Sequence, residues 1–111
     1  MIMQVAVIHT AFEDVPNTVA FVDVPDGTDD MSAMEYAYRW TNNVMGSWSI
    51  KKEYFEGGEQ NGDYNDAVTV MAPLHKDESG KEWGHRSTSV GDQMLVGNRK
   101  YKVAFAGFEA I

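Results

Sequence analysis

Apolar residues cluster along the chain in a way that predicts a β-rich start, one helix and a β-rich end. Met3 to Ile8 is apolar at nearly every position and rich in Val and Ile, which predicts a strand inside a sheet rather than at its edge. Glu13-Asp14-Val15-Pro16-Asn17 predicts a loop, because Pro16 has no amide proton to give a ladder and Asn17 favours turns. Thr18 to Val24 is a second β-branched run, broken by Pro25-Asp26-Gly27, and the two runs predict a hairpin-like pair.

After Gly27 the apolar period changes from two to about 3.6, which predicts a helix from Asp30 to Val44. Two starts fit. Either Thr28 caps it, with Asp29 and Asp30 opposing the helix dipole, or Ser32 and Glu35 form a capping box with Met31 stapled against Tyr36. Met34, Ala37, Tyr38 and Thr41 fall on one stripe and Ala33, Tyr36, Trp40 and Val44 on the next. This broad apolar arc should lie across a sheet. Glu35, Arg39, Asn42 and Asn43 make the narrow polar side, with Glu35 and Arg39 as an exposed i, i+4 pair. Asn43 to Gly46 should end the helix.

Trp40, Trp48, Tyr54 and Phe55 predict an aromatic cluster at the helix exit: a satellite core under the next loop, or an exposed partner-binding patch. Glu56 to Asn65, with Gly57-Gly58 and Asn61-Gly62, reads as a mobile loop. Ala67 to Ala72 predicts a third strand stopped by Pro73, and Leu74 to Trp83 a long polar connection. Gln93 to Val96 and Tyr101 to Phe108 predict strands around a two-residue type II′ turn at Gly97-Asn98. Tyr101, Val103 and Phe105 should share the face that meets the helix. The expected architecture is one α+β domain over residues 1–111, a mostly antiparallel sheet with one main helix packed on it and a small barrel as the curled variant.

Composition narrows the chemistry. The 111 residues include no cysteine, which excludes a disulfide framework and thiolate metal or redox sites. Met1-Ile2-Met3-Gln4-Val5 has no basic region ahead of its apolar run, and no apolar stretch approaches membrane-spanning length, so a cytoplasmic protein away from membranes is expected. The net charge is −8 and unevenly placed: residues 1–66 carry twelve carboxylates against Arg39, Lys51 and Lys52, whereas residues 67–111 carry six basic residues against five acidic ones. An acidic face repels phosphate, which disfavours duplex nucleic acid and makes a basic protein surface the natural partner. His9, His75 and His85 are scattered without metal-ligand spacing, and Gly57-Gly58 and Gly91 make no phosphate cradle, so no metal or cofactor is expected.

The segment densest in hydrogen-bonding side chains is Gly84-His85-Arg86-Ser87-Thr88-Ser89-Val90-Gly91-Asp92. Ser89-Val90-Gly91-Asp92 predicts a type II turn, with Gly91 supplying positive φ and Asp92 close to the turn backbone. The hydroxyls of Ser87, Thr88 and Ser89 can satisfy nearby amides, and Arg86 can pair with an internal carboxylate. The functional alternatives are a ligand site, in which the Arg86 fork and these hydroxyls meet an anion, and a hydrolase using Ser87 or Ser89 with His85 and Asp92.

Arg86-Ser87-Thr88-Ser89-Val90-Gly91-Asp92, followed by Tyr101-x-Val103 and Gly107-Phe108, resembles the ending of small uncharacterised proteins of bacteriophages, mobile elements and some bacteria. Thr41-Asn42-Asn43 followed by Trp48 resembles the helix end of the same proteins. The tail also resembles the S-x-S-V-x-D segment and Gly-Phe end of YodL-like domains of mobile-element proteins. The N-terminal hairpin lies outside the match. The resemblance implies a phage or mobile-element origin in a bacterial host, and brings no activity, cofactor or catalytic residue.

The expected function is therefore a non-enzymatic accessory protein of the host-takeover or anti-defence type, binding a basic host protein through an acidic and aromatic surface that includes Trp48, Glu53, Glu56, Glu59 and Asp63. The alternative is a small-ligand or RNA-binding domain using Arg86, Ser87, Ser89 and Asp92, with the hydrolase at the same turn as a third reading.

Overall fold

The computed structural model describes residues 2–71 and 74–111. Its elements are β1 (Ile2–His9), β2 (Asn17–Pro25), α1 (Asp30–Trp40), β3 (Val68–Val70), β4 (His75–Lys76), β5 (Glu82–Trp83), β6 (Gln93–Val96), β7 (Arg99–Val103) and β8 (Phe108–Ala110). Six strands form one sheet in the order β3-β2-β1-β6-β7-β8, antiparallel at every junction, and β4 and β5 form a separate hairpin. The fold is α+β, with a mostly antiparallel sheet and a single helix among the described residues. The sheet stays open, with β3 and β8 as its edges, so the curled barrel variant does not form.

Register explains the burial. Val5 pairs with both Val22 and Val96, and Val7 with both Ala20 and Met94, so these residues share one face of the sheet, and all of them are fully buried. Ala33, Met34 and Ala37 of α1, also fully buried, join them in the core with Trp48. Each large apolar side chain removed from water here contributes about 1.5–3 kcal/mol, which makes this face the main source of cohesion. A one-residue slip in β1 would turn its valines to the opposite face. Between Val7 and Ile8 the β1–β2 register shifts, with Val19 as the extra residue.

The helix start differs from both expected caps. Asp29 is the N-cap, accepting the Ser32 amide at 3.4 Å, while the Thr28 hydroxyl donates to the Pro25 carbonyl at 2.6 Å. The end comes earlier than the period implied. Thr41 caps α1, donating its hydroxyl to Ala37 O at 2.8 Å, and the Asp63 carboxylate captures the Val44 and Met45 amides at 2.8 and 2.9 Å, which holds this stretch out of the helix. Arg39 turns to Asp63 at 3.2 Å and stacks over Trp40, rather than pairing with Glu35.

Gly97 has φ +61°, Val96 pairs with Arg99, and no described non-glycine residue has positive φ, as a two-residue type II′ turn requires. Tyr101 and Val103 meet the core, but the strand stops there. Ala104 to Gly107 is a turn, with Ala104 N donating to Gly107 O at 2.9 Å, and it leaves Phe105 98% exposed. The expected polar connection from Leu74 to Trp83 contains the β4–β5 hairpin. The parts of the sequence reading that fall on Met1, Ala72 and Pro73 lie outside the described residues. No helix among the described residues is long and apolar enough to cross a membrane.

Met34 is the largest core side chain on α1 and is fully buried. Met34→Ala should lower unfolding free energy by about 2–5 kcal/mol in a urea titration, with the slope unchanged.

Candidate functional site

The 84–92 segment is drawn onto the end of β1 by one buried carboxylate. Ser89 to Asp92 forms the expected turn: Asp92 N donates to Ser89 O at 3.0 Å and Gly91 has φ +97°, the position a type II turn reserves for glycine. Asp92 is fully buried. Its Oδ1 accepts the amides of Thr10 and Ala11 at 2.8 and 2.9 Å, and its Oδ2 accepts that of Ser89 at 2.8 Å.

Arg86 completes the arrangement with a bidentate fork, Nη1 to Oδ2 and Nη2 to Oδ1 of Asp92, both at 2.7 Å. Its remaining donors reach Glu13, from Nε at 3.1 Å and Nη2 at 2.9 Å, and Ser87 O, from Nη1 at 2.9 Å. Those five bonds use all five N–H groups of the guanidinium. Burial alone would push the Asp92 carboxyl up, but Arg86 and the three amides outweigh it and hold its pKa at about 2. The hydrogen bonds from Arg86 also hold Glu13 below the usual carboxylate range.

A second chain of bonds runs behind this pair. Thr41 Oγ1 donates to Ala37 O, so its 2.8 Å bond to Thr88 Oγ1 must be one it accepts. Thr88 has then spent its proton on Thr41, and its 3.0 Å contact with His9 Nε2 requires the histidine to donate. His9 is 2% exposed, and burial pushes its pKa down to about 4 despite Asp92 nearby. It is thus a neutral donor at pH 7, the reverse of a base poised to take a hydroxyl proton.

The chain leaving α1 is stitched to the same segment. Asn43 N donates to Ser87 Oγ at 2.8 Å, Asn43 Nδ2 to His85 O at 3.1 Å, and Thr88 N to Thr41 O at 3.0 Å. Trp48 is fully buried, donates from Nε1 to Arg86 O at 3.0 Å, and lies between the rings of His9 and His85. A Cβ at Gly84 would stand 2.5 Å from Ser47 Oγ and 2.8 Å from Ser49 Oγ, so a side chain there would displace both hydroxyls, which accept the Ile50 and His85 amides.

Of the residues singled out in sequence, Arg86, Ser87, Ser89 and Asp92 come together, and Trp48 lies directly behind them rather than on the surface. The aromatic cluster does not form: Trp40 tilts against Tyr36, Trp48 meets the two histidines, and Tyr54 is 61% exposed. Glu53, Glu56 and Glu59 are exposed. Asp63, expected beside them, is instead fully buried, with its carboxylate holding Arg39 and the Val44 and Met45 amides.

The loop read as mobile is anchored by Asn61, whose Nδ2 reaches the carbonyls of Ser47, Ile50 and Lys52 at 2.9, 3.1 and 3.0 Å while Oδ1 accepts the Ser47 amide at 3.0 Å. Sequence reasoning missed His9, Glu13 and Asn61 as parts of this framework. Only a histidine closing an apolar strand gave any signal, because the other two look like ordinary loop residues.

Every buried side-chain nitrogen and oxygen among the described residues has a partner, and no group of three or more described His, Asp or Glu residues could hold a metal ion. The arrangement joins β1, the exit of α1 and the entry to β6. Chemically it fastens the fold, with its cation and its buried carboxylate already matched to each other.

Arg86→Ala would leave Asp92 charged and buried with only amides around it. Because the arginine side chain is 28% exposed, the cost should sit at the low end of such losses, about 3 kcal/mol in chemical denaturation. A second outcome concerns pH. His9 is less basic folded (about 4) than unfolded (6.5), so the unfolded chain binds the extra proton and stability should decline as pH falls from 6.5 toward 4. His9→Gln should flatten that decline in thermal melts across the range. The Asp92 contribution is lost lower, as pH falls from 3.8 toward about 2.

Compared with known proteins, the chain matches no family model, no curated protein and no solved structure.

Proposed function

We propose that the protein acts by binding rather than catalysis, as a phage or mobile-element accessory protein that engages a basic surface of a host protein. One observation carries this reading: Glu53, Glu56 and Glu59 are exposed and enter no ion pair among the described residues, on a loop that Asn61 anchors to the backbone. Phe55 N donates to Glu59 O at 2.9 Å and Tyr54 bridges to Gln60, so the carboxylates sit on an ordered hairpin-like turn. A loop held in place loses less conformational freedom when a partner docks.

Lys51 turns away from this loop, donating to Asn65 O at 2.5 Å and lying over the Tyr64 ring, while Lys52 and Lys81 line a shallow pocket with Glu56. Exposed carboxylates of this kind steer a positively charged partner and fix its orientation. The sequence resemblance supports a host-directed target for such a surface. The alternative ligand or RNA site at Arg86 is weakened by the guanidinium's full internal engagement, and the hydrolase by the Asp92 carboxylate being taken up by Arg86 and three backbone amides.

Tagged protein incubated with bacterial lysate should retain a stoichiometric basic protein at low salt and release it at moderate salt. The triple variant Glu53→Lys, Glu56→Lys, Glu59→Lys should weaken that capture by about tenfold or more and abolish its salt dependence. Capture that survives the triple reversal unchanged, or retention of RNA or a small molecule alone, would refute this reading.

A further inference from the structure

The face of the sheet opposite the core has a patterned surface of its own. Residues paired across the strands point to the same side, so Ala6, which pairs with Phe21 on β2 and Leu95 on β6, shares this face with both, and Leu95 extends the row to Lys100 on β7. Ile8 lies on the next row, opposite Thr18 and Gln93. The helix and Trp48 pack on the other side, with Val5, Val7, Val22, Met94 and Val96. Phe21, Leu95 and Ile8 are only half-buried, and the row is bordered by Asp23 on β2 and Lys100 on β7, neither of which enters an ion pair among the described residues.

We propose that this face packs against the same face of a second copy of the chain. The argument is self-complementarity about a two-fold axis running parallel to the strands between β1 and β6. Such an axis lays each β1 over the partner's β6 and each β2 over the partner's β7, and it preserves position along the strands. The small Ala6 then receives Leu95 of the other copy, and the Phe21 ring receives the aliphatic stem and ammonium of Lys100, each contact occurring twice.

Asp23 stands two residues from Phe21, about 6.8 Å along the strand, within reach of the same lysine head. An acid on one flank and a base on the other is the charge pattern that an isologous contact requires, because each flank meets its opposite. An axis between β6 and β7 would place Leu95 over Lys100, and one between β2 and β1 would place it over Thr69 and leave Lys100 without a strand opposite.

The available area is modest. The six strands hold 32 residues, each covering about 16 Å² of the face, on the order of 500 Å² per copy. The total of about 1,000 Å² is the size of a weak, concentration-dependent contact. The dimer would be a four-layer arrangement, helix, sheet, sheet, helix, with its two sheets about 10 Å apart. It leaves the Glu53, Glu56 and Glu59 loop outside the contact, so this inference is independent of the proposed partner.

Sedimentation equilibrium over a range of concentrations tests it. The intact chain should show twice the 12.4 kDa chain mass, and Leu95→Arg should raise the dimer dissociation constant at least tenfold with far-UV circular dichroism unchanged. Lys100→Asp should weaken the dimer in the same way, and combining it with Asp23→Lys should recover part of the lost affinity through the exchanged charge pair, a rescue that a fold defect would not give. A monomer at every concentration, whatever else then occupies the face, would overturn the proposal, as would a dimer indifferent to all these changes.

Discussion

The Arg86–Asp92 pair is the constraint on which the upper part of the molecule depends. A carboxylate removed from water is costly, and here the cost is offset by a bidentate guanidinium and three backbone amides. Those amides serve two requirements of the chain: Thr10 and Ala11 follow the end of β1, and Ser89 opens the turn into β6. Because β1 and β6 are neighbours at the centre of the sheet, fixing their junction also fixes the register in which Val5 and Val7 meet Val96 and Met94. Glu13 accepts the remaining Nε and Nη2 protons of Arg86 and so adds two more bonds to the same guanidinium.

The second consequence is a division between polar specification and apolar cohesion. The core face between α1 and the sheet is made almost entirely of Val, Ala and Met, which pack in many similar ways and hold no orientation by themselves. His9, Thr88 and Thr41 supply the missing specificity, since a chain of single-proton bonds closes in only one sense once Thr41 donates to Ala37 O. Asn61 and Asp63 act similarly in the loop after α1, replacing absent secondary structure with side-chain bonds to carbonyls and amides. A long connection of this kind stays ordered because its backbone groups find partners, not because it buries much apolar surface.

These framework roles leave function at the periphery. The hydroxyls and the guanidinium of the 86–92 segment are committed internally, whereas the exposed carboxylates near Glu56 and the patterned outer face of the sheet are not. The two surfaces differ in character, one rich in exposed carboxylates and the other carrying Phe21, Leu95 and Ile8 between an acid and a base, and the partners proposed for them differ accordingly.

Much of the fold was legible because its cause is local. The apolar run of Met3 to Ile8, the change of period after Gly27, and the glycines at 91 and 97 each specify backbone conformation through neighbours in sequence, and α1, the central strands and both turns appear where those signals lie. The turn chemistry of Ser89 to Asp92 and the internal pairing of Arg86 were legible for the same reason. What the sequence could not decide was which distant group each polar side chain would meet. The bond that joins His9 to Thr88 across a sequence separation of 79, the capture of Arg39 and the Val44 amide by Asp63, and the burial of Trp48 beneath Arg86 depend on which strands lie side by side, and only the tertiary structure settles that. Periodicity carried the helix on to Val44, but it ended at Trp40 because a carboxylate more than twenty residues later competes for the next amides, an effect no local pattern encodes.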